Sequence, residues 1–362
     1  MINNKITFIN KDNTEFYNTL KRNIDNYFIE NKTSKFANTE MIIKTIFMLS
    51  LYLVPYFLIT SSKFSENIML LFVILMGMGL AGIGMCVMHD ANHNSYSPLP
   101  IINRVLGYTL NLIGASEYIW RIKHNIIHHT FTNIYESDED IDTYKTIRIS
   151  VLEKLKPLHK YQNIYAFIVY GLVTLEWCLT RDFLSFSRYI KKGYIKKYSK
   201  KTRKELFILI ISKILYFTFT LVIPLIVLNI KWWKVFIGFI ILHFTAGLIL
   251  ATIFQLAHVV EKTLFPIPDN ENKISTEWAI HQLLTTANFS RKNKVLSWFI
   301  GGLNYQIEHH LFPNICHVHY RKISDIVKKT SEQFGLPYNE YSNFSEALNS
   351  HFKVLKKLGR ES

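Results

Sequence analysis

The sequence predicts an all-α polytopic membrane protein: four transmembrane helices in two hairpins, with a helical cap on the cytoplasmic side. Three observations predict it. Hydrophobic residues make up 49% of the 362 positions and charged ones only 19%, whereas an average soluble chain is roughly 25% charged. The apolar residues gather in four runs, each close to the ~20 residues a helix needs to cross ~30 Å of hydrocarbon. The net charge of +15 is unevenly spread along the chain, which orients those runs. Composition excludes disorder and collagen. Cys86, Cys178 and Cys316 are scattered and form no CxxC pair, which excludes a disulfide framework or a thiolate zinc site.

Residues 1–40 are polar, and 13–30 read as an amphipathic surface segment. No secretory signal is visible, because the first hydrophobic run starts only near Met41. Spans at about 41–60 and 68–88 are separated by seven residues, Ser61 to Asn67, and so form a tight hairpin. Residues 101–119 and 164–179 are apolar but interrupted or short, and are expected to lie in the interface or on the cap. The second hairpin spans about 206–230 and 235–257, with Lys231-Trp232-Trp233-Lys234 at its turn. The cap then comprises 89–205 and 258–330, and 331–362 is read as a cytoplasmic C-terminal tail. Eighteen Lys and Arg fall in 89–205, against three (Lys63, Lys231, Lys234) in the two far-side turns. That bias makes the large side, with both termini, cytoplasmic. The basic run 181–204 abuts a span, so it reads as a membrane flank and not as a nucleic-acid footprint.

Histidine carries the chemistry. His89-Asp90-Ala91-Asn92-His93 follows the second span directly, and residues four apart share a helix face. His124-Asn125-Ile126-Ile127-His128-His129 repeats that spacing and adds a third imidazole. Gln306-Ile307-Glu308-His309-His310 follows the fourth span. An HxxxHH pattern arises by chance about 0.02 times in a chain of this histidine content, so coincidence is a poor explanation. Seven clustered histidines exceed what one four-coordinate ion needs, which implies two ions. Imidazole suits zinc, copper, iron or nickel, and ligand type alone leaves the metal open. Asp90 and Asn92, then Asn133 and the acidic run Glu136, Asp138, Glu139, Asp140 and Asp142 are candidates to accept the free ring N–H of a ligand. Asp138 and Asp140 are favoured among them.

These residues resemble the membrane fatty acid desaturases. The boxes HDANH, HNIIHH and QIEHH stand in that family's order around a hairpin. Trp120-Arg121-Ile122-Lys123, Thr130-Phe131-Thr132-Asn133 and Leu311-Phe312-Pro313 flank them as in the family. Gln306 in place of a leading histidine resembles the front-end branch and some bacterial acyl-CoA desaturases. No histidine precedes His89, so a fused cytochrome b5 domain is not expected. The resemblance, over about residues 1–330, makes 41–330 a desaturase domain. It implies an O2-dependent enzyme that places a cis double bond in an acyl-CoA or acyl-lipid chain, with two Fe ions and electrons from a ferredoxin or cytochrome b5 and its reductase. The expected site is the bacterial inner membrane. The implied metal ligands are His89, His93, His124, His128, His129, His309 and His310, with no catalytic residue beyond the ligands.

An eighth nitrogen is needed for two four-coordinate ions. The family places a ligand on the helix ending in His258, and His243 lies about 22 Å earlier on it, too far to substitute. His281, His317, His319 and Gln306 are ranked in the second layer. The donor is expected to dock on the cytoplasmic basic surface, including 191–204. Aromatic residues at 161–189, with Trp120 and Trp278, are candidates to line an acyl tunnel. The alternatives are a lipid or carotenoid hydroxylase or ketolase of the same superfamily, and a histidine-rich metal transporter. A transporter should carry ligands midway through its spans, where only His243 lies. No HExxH supports a zinc protease.

Overall fold

A computed structural model describes residues 6–9, 15–141, 146–196 and 199–361. Asn13, Thr14, Asp142 and Lys197 lie outside the described residues. The chain divides into two compact units. The first holds 1–38, 123–166 and 253–362; the second holds 39–122 and 167–252.

Helix α1 (Glu15–Glu30) buries Phe16, Leu20 and Ile24, a stripe spaced by four. Helices α2 (Thr39–Thr60) and α3 (Glu66–Asn92) form the first hairpin. Gly79 allows its close packing, since a Cβ there would fall 2.6 Å from the Tyr52 backbone nitrogen. The α3 helix runs past the expected end of the span through a π-helical turn, Ile83–Val87, so the first histidine box rides on its last turn. The 101–119 stretch is broken. Helix α4 (Pro100–Gly107) starts on proline, Gly114 turns at φ +91°, and α5 (117–131) starts after Ser116, whose Oγ accepts from the Ile119 N–H. Helices α6 (Pro157–Lys191), α7 (Lys200–Val227) and α8 (Trp232–His258) follow.

Five helices are therefore long and apolar enough to cross a membrane, where the sequence leads one to expect four. Mean hydropathy is 2.0 for α2, 2.4 for α3, 1.3 for α6, 2.4 for α7 and 2.2 for α8. The extra one is α6. Glu176, Arg181 and Asp182 end its apolar core, but charges do not break a helix, and it continues to 35 residues.

In the second unit, Tyr56 donates to the Phe219 carbonyl at 2.9 Å and stacks on its ring. Lys213 is buried and satisfied by Asp182 at 2.7 Å and by the Gly114 and Trp177 carbonyls.

The first unit adds α9 (Trp278–Thr285), α10 (Gln306–Leu311), α11 (Tyr320–Gln333) and α12 (Phe344–Leu358). Two short parallel pairs stitch it: β1 (Thr7–Phe8) with β2 (Lys273–Ile274), and β3 (Asn288–Phe289) with β4 (Glu340–Tyr341). Its core joins the α1 stripe to Leu283, Ile307, Leu311, Ile323 and Val327. Arg148, fully buried, donates to the carbonyls of Val151, Glu153, Leu358 and Glu361. The segment beyond α12 is thereby tied into the unit.

Candidate metal centre

The second box sits on a π-helical stretch, Ile122–His128, within α5. A π turn closes i→i+5 instead of i→i+4, so residues four and five apart both fall near one face. That is how His124, His128 and His129 converge: the His124 and His129 Nε2 atoms lie 3.3 Å apart, and the His124 and His128 rings stack at 5.2 Å. Box three joins them from α10, with His129 4.6 Å from His309 and 4.4 Å from His310, ring centre to ring centre. His258, the last residue of α8, lies 4.8 Å from His128 and 4.9 Å from His310. Ligating nitrogens of His128, His258 and His310 all fall within 4.8 Å of one another. All six rings are buried.

The outer nitrogens are held. His128 Nδ1 lies 3.1 Å from both oxygens of Asp138 and 3.4 Å from Asp140. His258 Nδ1 donates to the Thr285 carbonyl at 3.2 Å. His310 Nδ1 donates to Gln282 Oε1 at 2.8 Å, and His309 Nδ1 meets the Tyr320 hydroxyl at 3.2 Å. The carboxylate, carbonyl and amide oxygens place the proton on Nδ1 of His128, His258 and His310 and leave each Nε2 lone pair for the interior, while Tyr320 orients the His309 ring. The Nε2 atoms of His128 and His258 are buried with no hydrogen-bond partner. Orphaned buried acceptors are costly unless something binds them, and converging imidazole lone pairs suit a borderline metal ion. The donor set fits a histidine-bound metal.

Electrostatics favour a cation here. Burial alone would lower the His128 pKa, but the Asp138 and Asp140 carboxylates outweigh it and raise it. Burial likewise works against ionised Asp140, yet Lys123, His128 and His124 hold its carboxyl well below the usual range. Asn133 locks the assembly: at φ +59°, a conformation asparagine tolerates, its N–H donates to Asp138 at 2.9 Å. Its Nδ2 donates to the His258 and Leu264 carbonyls at 2.8 and 3.0 Å.

His281 donates to the Thr132 carbonyl at 2.9 Å and His319 to that of Phe36 at 2.9 Å; both brace backbone. His317 is buried in the 3-10 turn before α11. Gln306 is buried in the first turn of α10. Trp278 braces the second box, donating to the His129 carbonyl at 2.9 Å. Gln282, Thr285 and Tyr320 escaped sequence reasoning. Only Gln282, a polar residue in the apolar run of α9, left a signal. Glu308 was missed as well.

The first box lies in the second unit. His89 and His93 face each other with ring centres 4.9 Å apart, and Trp120 packs edge-on against both, at 5.6 and 5.7 Å. Asp90 Oδ1 is 3.8 Å from His89 Nδ1. Asn92 Nδ2 contacts the Met88 sulfur at 3.5 Å.

Residues 67–342 match the family described as fatty acid desaturase. The chain is 35% identical to the sn-1 linoleoyl-lipid 6-desaturase of Synechocystis, covering 96% of each chain. It is 35% identical to an acyl-lipid (8-3)-desaturase of Physcomitrium patens, over 98% of this chain and 74% of that one. A second sn-1 linoleoyl-lipid 6-desaturase, from Arthrospira platensis, is 32% identical over 95% of this chain and 92% of that protein. This chain belongs to the fatty acid desaturase family and is a membrane oxidoreductase.

Proposed function

We propose that this fatty acid desaturase acts on acyl chains carried by membrane lipids, placing one cis double bond at a position counted from the carboxyl end, the sixth carbon by analogy with its cyanobacterial relatives. The observation that carries the chemistry is the six-imidazole cluster with the outer nitrogens of His128, His258, His309 and His310 held and its inner ones converging. Two iron ions are the metal of this reading, held by His124, His128, His129, His258, His309 and His310, and by His89 and His93 as the family resemblance implies. When bound, the pair supplies O2 activation strong enough to take hydrogen from an unactivated methylene.

The chain's own residues supply the rest. Asp138, Gln282, the Thr285 carbonyl and Tyr320 fix ring orientation, and the first three keep the proton on Nδ1. Burial of the rings excludes bulk water. Two hydrogens leave the substrate, two electrons come from an external carrier, two protons come from solvent, and O2 leaves as two waters.

Four crossings remain the proposed topology. The His128 and His258 rings are neighbours in one unit, so the chain crosses an even number of times between them. Helices α6, α7 and α8 intervene, and α6 is the least apolar. Its described contacts in the second unit reach the middle of α8, through Thr174 and Cys178 at His243, and the middle of α7, through Asp182 at Lys213. We therefore read α6 as a shallow helix on the cytoplasmic side, with the metal site on that face.

The test is expression in a desaturase-deficient bacterial host fed linoleate, followed by lipid-class separation and double-bond localisation. A new cis bond at the sixth carbon of lipid-linked chains is expected, and none from His128→Ala. An inserted oxygen would make the protein a hydroxylase; product confined to thioesters would overturn the lipid-linked substrate.

A further inference from the structure

On the first unit, a cavity of about 500 Å³ opens beside α11 and the segment that follows β3. Four cations line it, Arg291, Lys292, Arg321 and Lys328, against two acids, Asp325 and Glu340. Arg291 and Lys328 are partly spent inside: they reach Glu340 at 2.9 and 2.6 Å. Lys292 and Arg321 are exposed and leave the mouth positive.

The wall of this cavity leads to the third box. The Arg291 guanidinium and the Lys328 ammonium lie 5.4 and 5.7 Å from the Tyr338 ring centre. The Tyr338 hydroxyl donates to Glu308 Oε1 at 2.8 Å. Asn288 Nδ2 donates to the other oxygen at 2.8 Å, and Asn288 Oδ1 accepts from the Ile307 N–H at 3.0 Å. Glu308 is fully buried and adjoins His309 in α10. One ring and one carboxylate thus lead from the cations of the cavity to the residue next to His309 in the chain. The basic run at 191–204 shows no such connection among its described contacts.

We infer that this cavity is the docking surface for an acidic one-electron carrier protein, delivering electrons at the third-box side of the metal site. The inference rests on the reading that electrons come from a separate protein. Each visit oxidises the carrier by one electron, so two visits supply the pair each turnover needs. Charge complementarity selects the partner: a net-positive mouth with rim cations steers an acidic protein and sets its salt dependence. A lipid surface fits less well, because among the described residues 285–345 only Val295 is a large, exposed hydrophobic.

The test measures binding of an acidic plant-type [2Fe–2S] ferredoxin to the detergent-solubilised, iron-loaded full chain by calorimetry. The double variant Lys292→Glu/Arg321→Glu should raise Kd at least tenfold at low ionic strength, with the gap closing as salt screens the charges. Lys200→Glu/Lys201→Glu/Lys204→Glu should change it less than threefold. Dithionite-driven single-turnover desaturation by the double variant should stay at the wild-type level, which also shows that it folds. A loss below tenfold, or a larger loss in the triple variant, overturns the docking site. If dithionite-reduced wild type yields no alkene, the desaturase reading fails instead.

Discussion

Helix α8 carries two buried histidines whose surroundings differ in one respect that matters. His243, in the second unit, has both ring nitrogens occupied: Nε2 meets the Tyr216 hydroxyl at 2.8 Å and Nδ1 the Thr174 hydroxyl at 3.1 Å. His258, in the first unit, has Nδ1 on a carbonyl and a buried Nε2 with no hydrogen-bond partner. Burial is common to both, so burial does not mark a ligand. An unpartnered nitrogen does where other imidazole nitrogens converge on it, as those of His128 and His310 do here, because leaving it buried has a cost that a shared metal ion removes. His281 Nδ1 is also buried without a partner, but among the described residues it joins no such group.

This contrast breaks most directly at His258 itself. His258→Ala should leave fewer than two irons per chain by elemental analysis and less than about 1% of wild-type desaturation, as expected when a ligand needed to hold the metal is lost. His281→Ala and His317→Ala should keep both irons. The reverse pattern would move the eighth ligand elsewhere. Next in size is Asp138→Asn, which keeps the shape but removes the charge behind His128; metal affinity should drop about 10–100-fold in a competitive chelator titration, with the circular-dichroism spectrum unchanged.

His243→Leu sharpens the comparison from the other side. Iron content should not change, while the orphaned Tyr216 hydroxyl should cost about 1–3 kcal/mol, read from denaturation; Thr174 keeps its hydrogen bond to the carbonyl of residue 243. A loss of iron from this variant would mean that His243 is more than a packed, satisfied residue.

The smallest effect concerns a third buried histidine, His351 of α12, whose Nδ1 donates to the Val259 carbonyl at 2.7 Å. Burial pushes its pKa down from 6.5 to about 4, against that hydrogen bond. Above pH 6.5 it is neutral whether folded or unfolded and contributes no pH dependence. As pH falls from about 6.5 towards 4, the unfolded chain takes up a proton that the folded one refuses, and stability drops by about 1.4 kcal/mol per pH unit. Over the step from pH 6.5 to 5.5, His351→Gln should lose less thermal stability than wild type. An equal loss in both would remove His351 as the cause.

Several features were legible because they are local. The HxxxHH spacing names ligand types, and the four apolar runs name four of the five helices long and apolar enough to cross a membrane. Asp138 and Asn133 were visible as polar residues next to a box. The length of α6 was misjudged because hydropathy measures where lipid is tolerated, while helix length follows backbone propensity and capping. The 101–119 run, read as apolar but interrupted, is indeed no membrane-crossing helix; what the sequence does not show is the left-handed turn at Gly114 that breaks it.

By itself, the sequence determined the class of protein, the imidazole donors and the family, since spacing on one helix turn and hydrocarbon thickness are set by short-range geometry. Counting nitrogens asks for an eighth donor, and the family resemblance is what points to His258 for it. Only the tertiary structure decided which ring nitrogen faces inward, because that depends on Gln282, Thr285 and Tyr320, which stand on other elements 28, 27 and 11 residues along the chain from the rings they hold. It also decided that His124, His128 and His129 share one face, through a π-helical winding that no residue in the box encodes alone. The route from Arg291 through Tyr338 to Glu308 belongs to the same class: its members come from three separate segments, and packing of the first unit alone makes them neighbours.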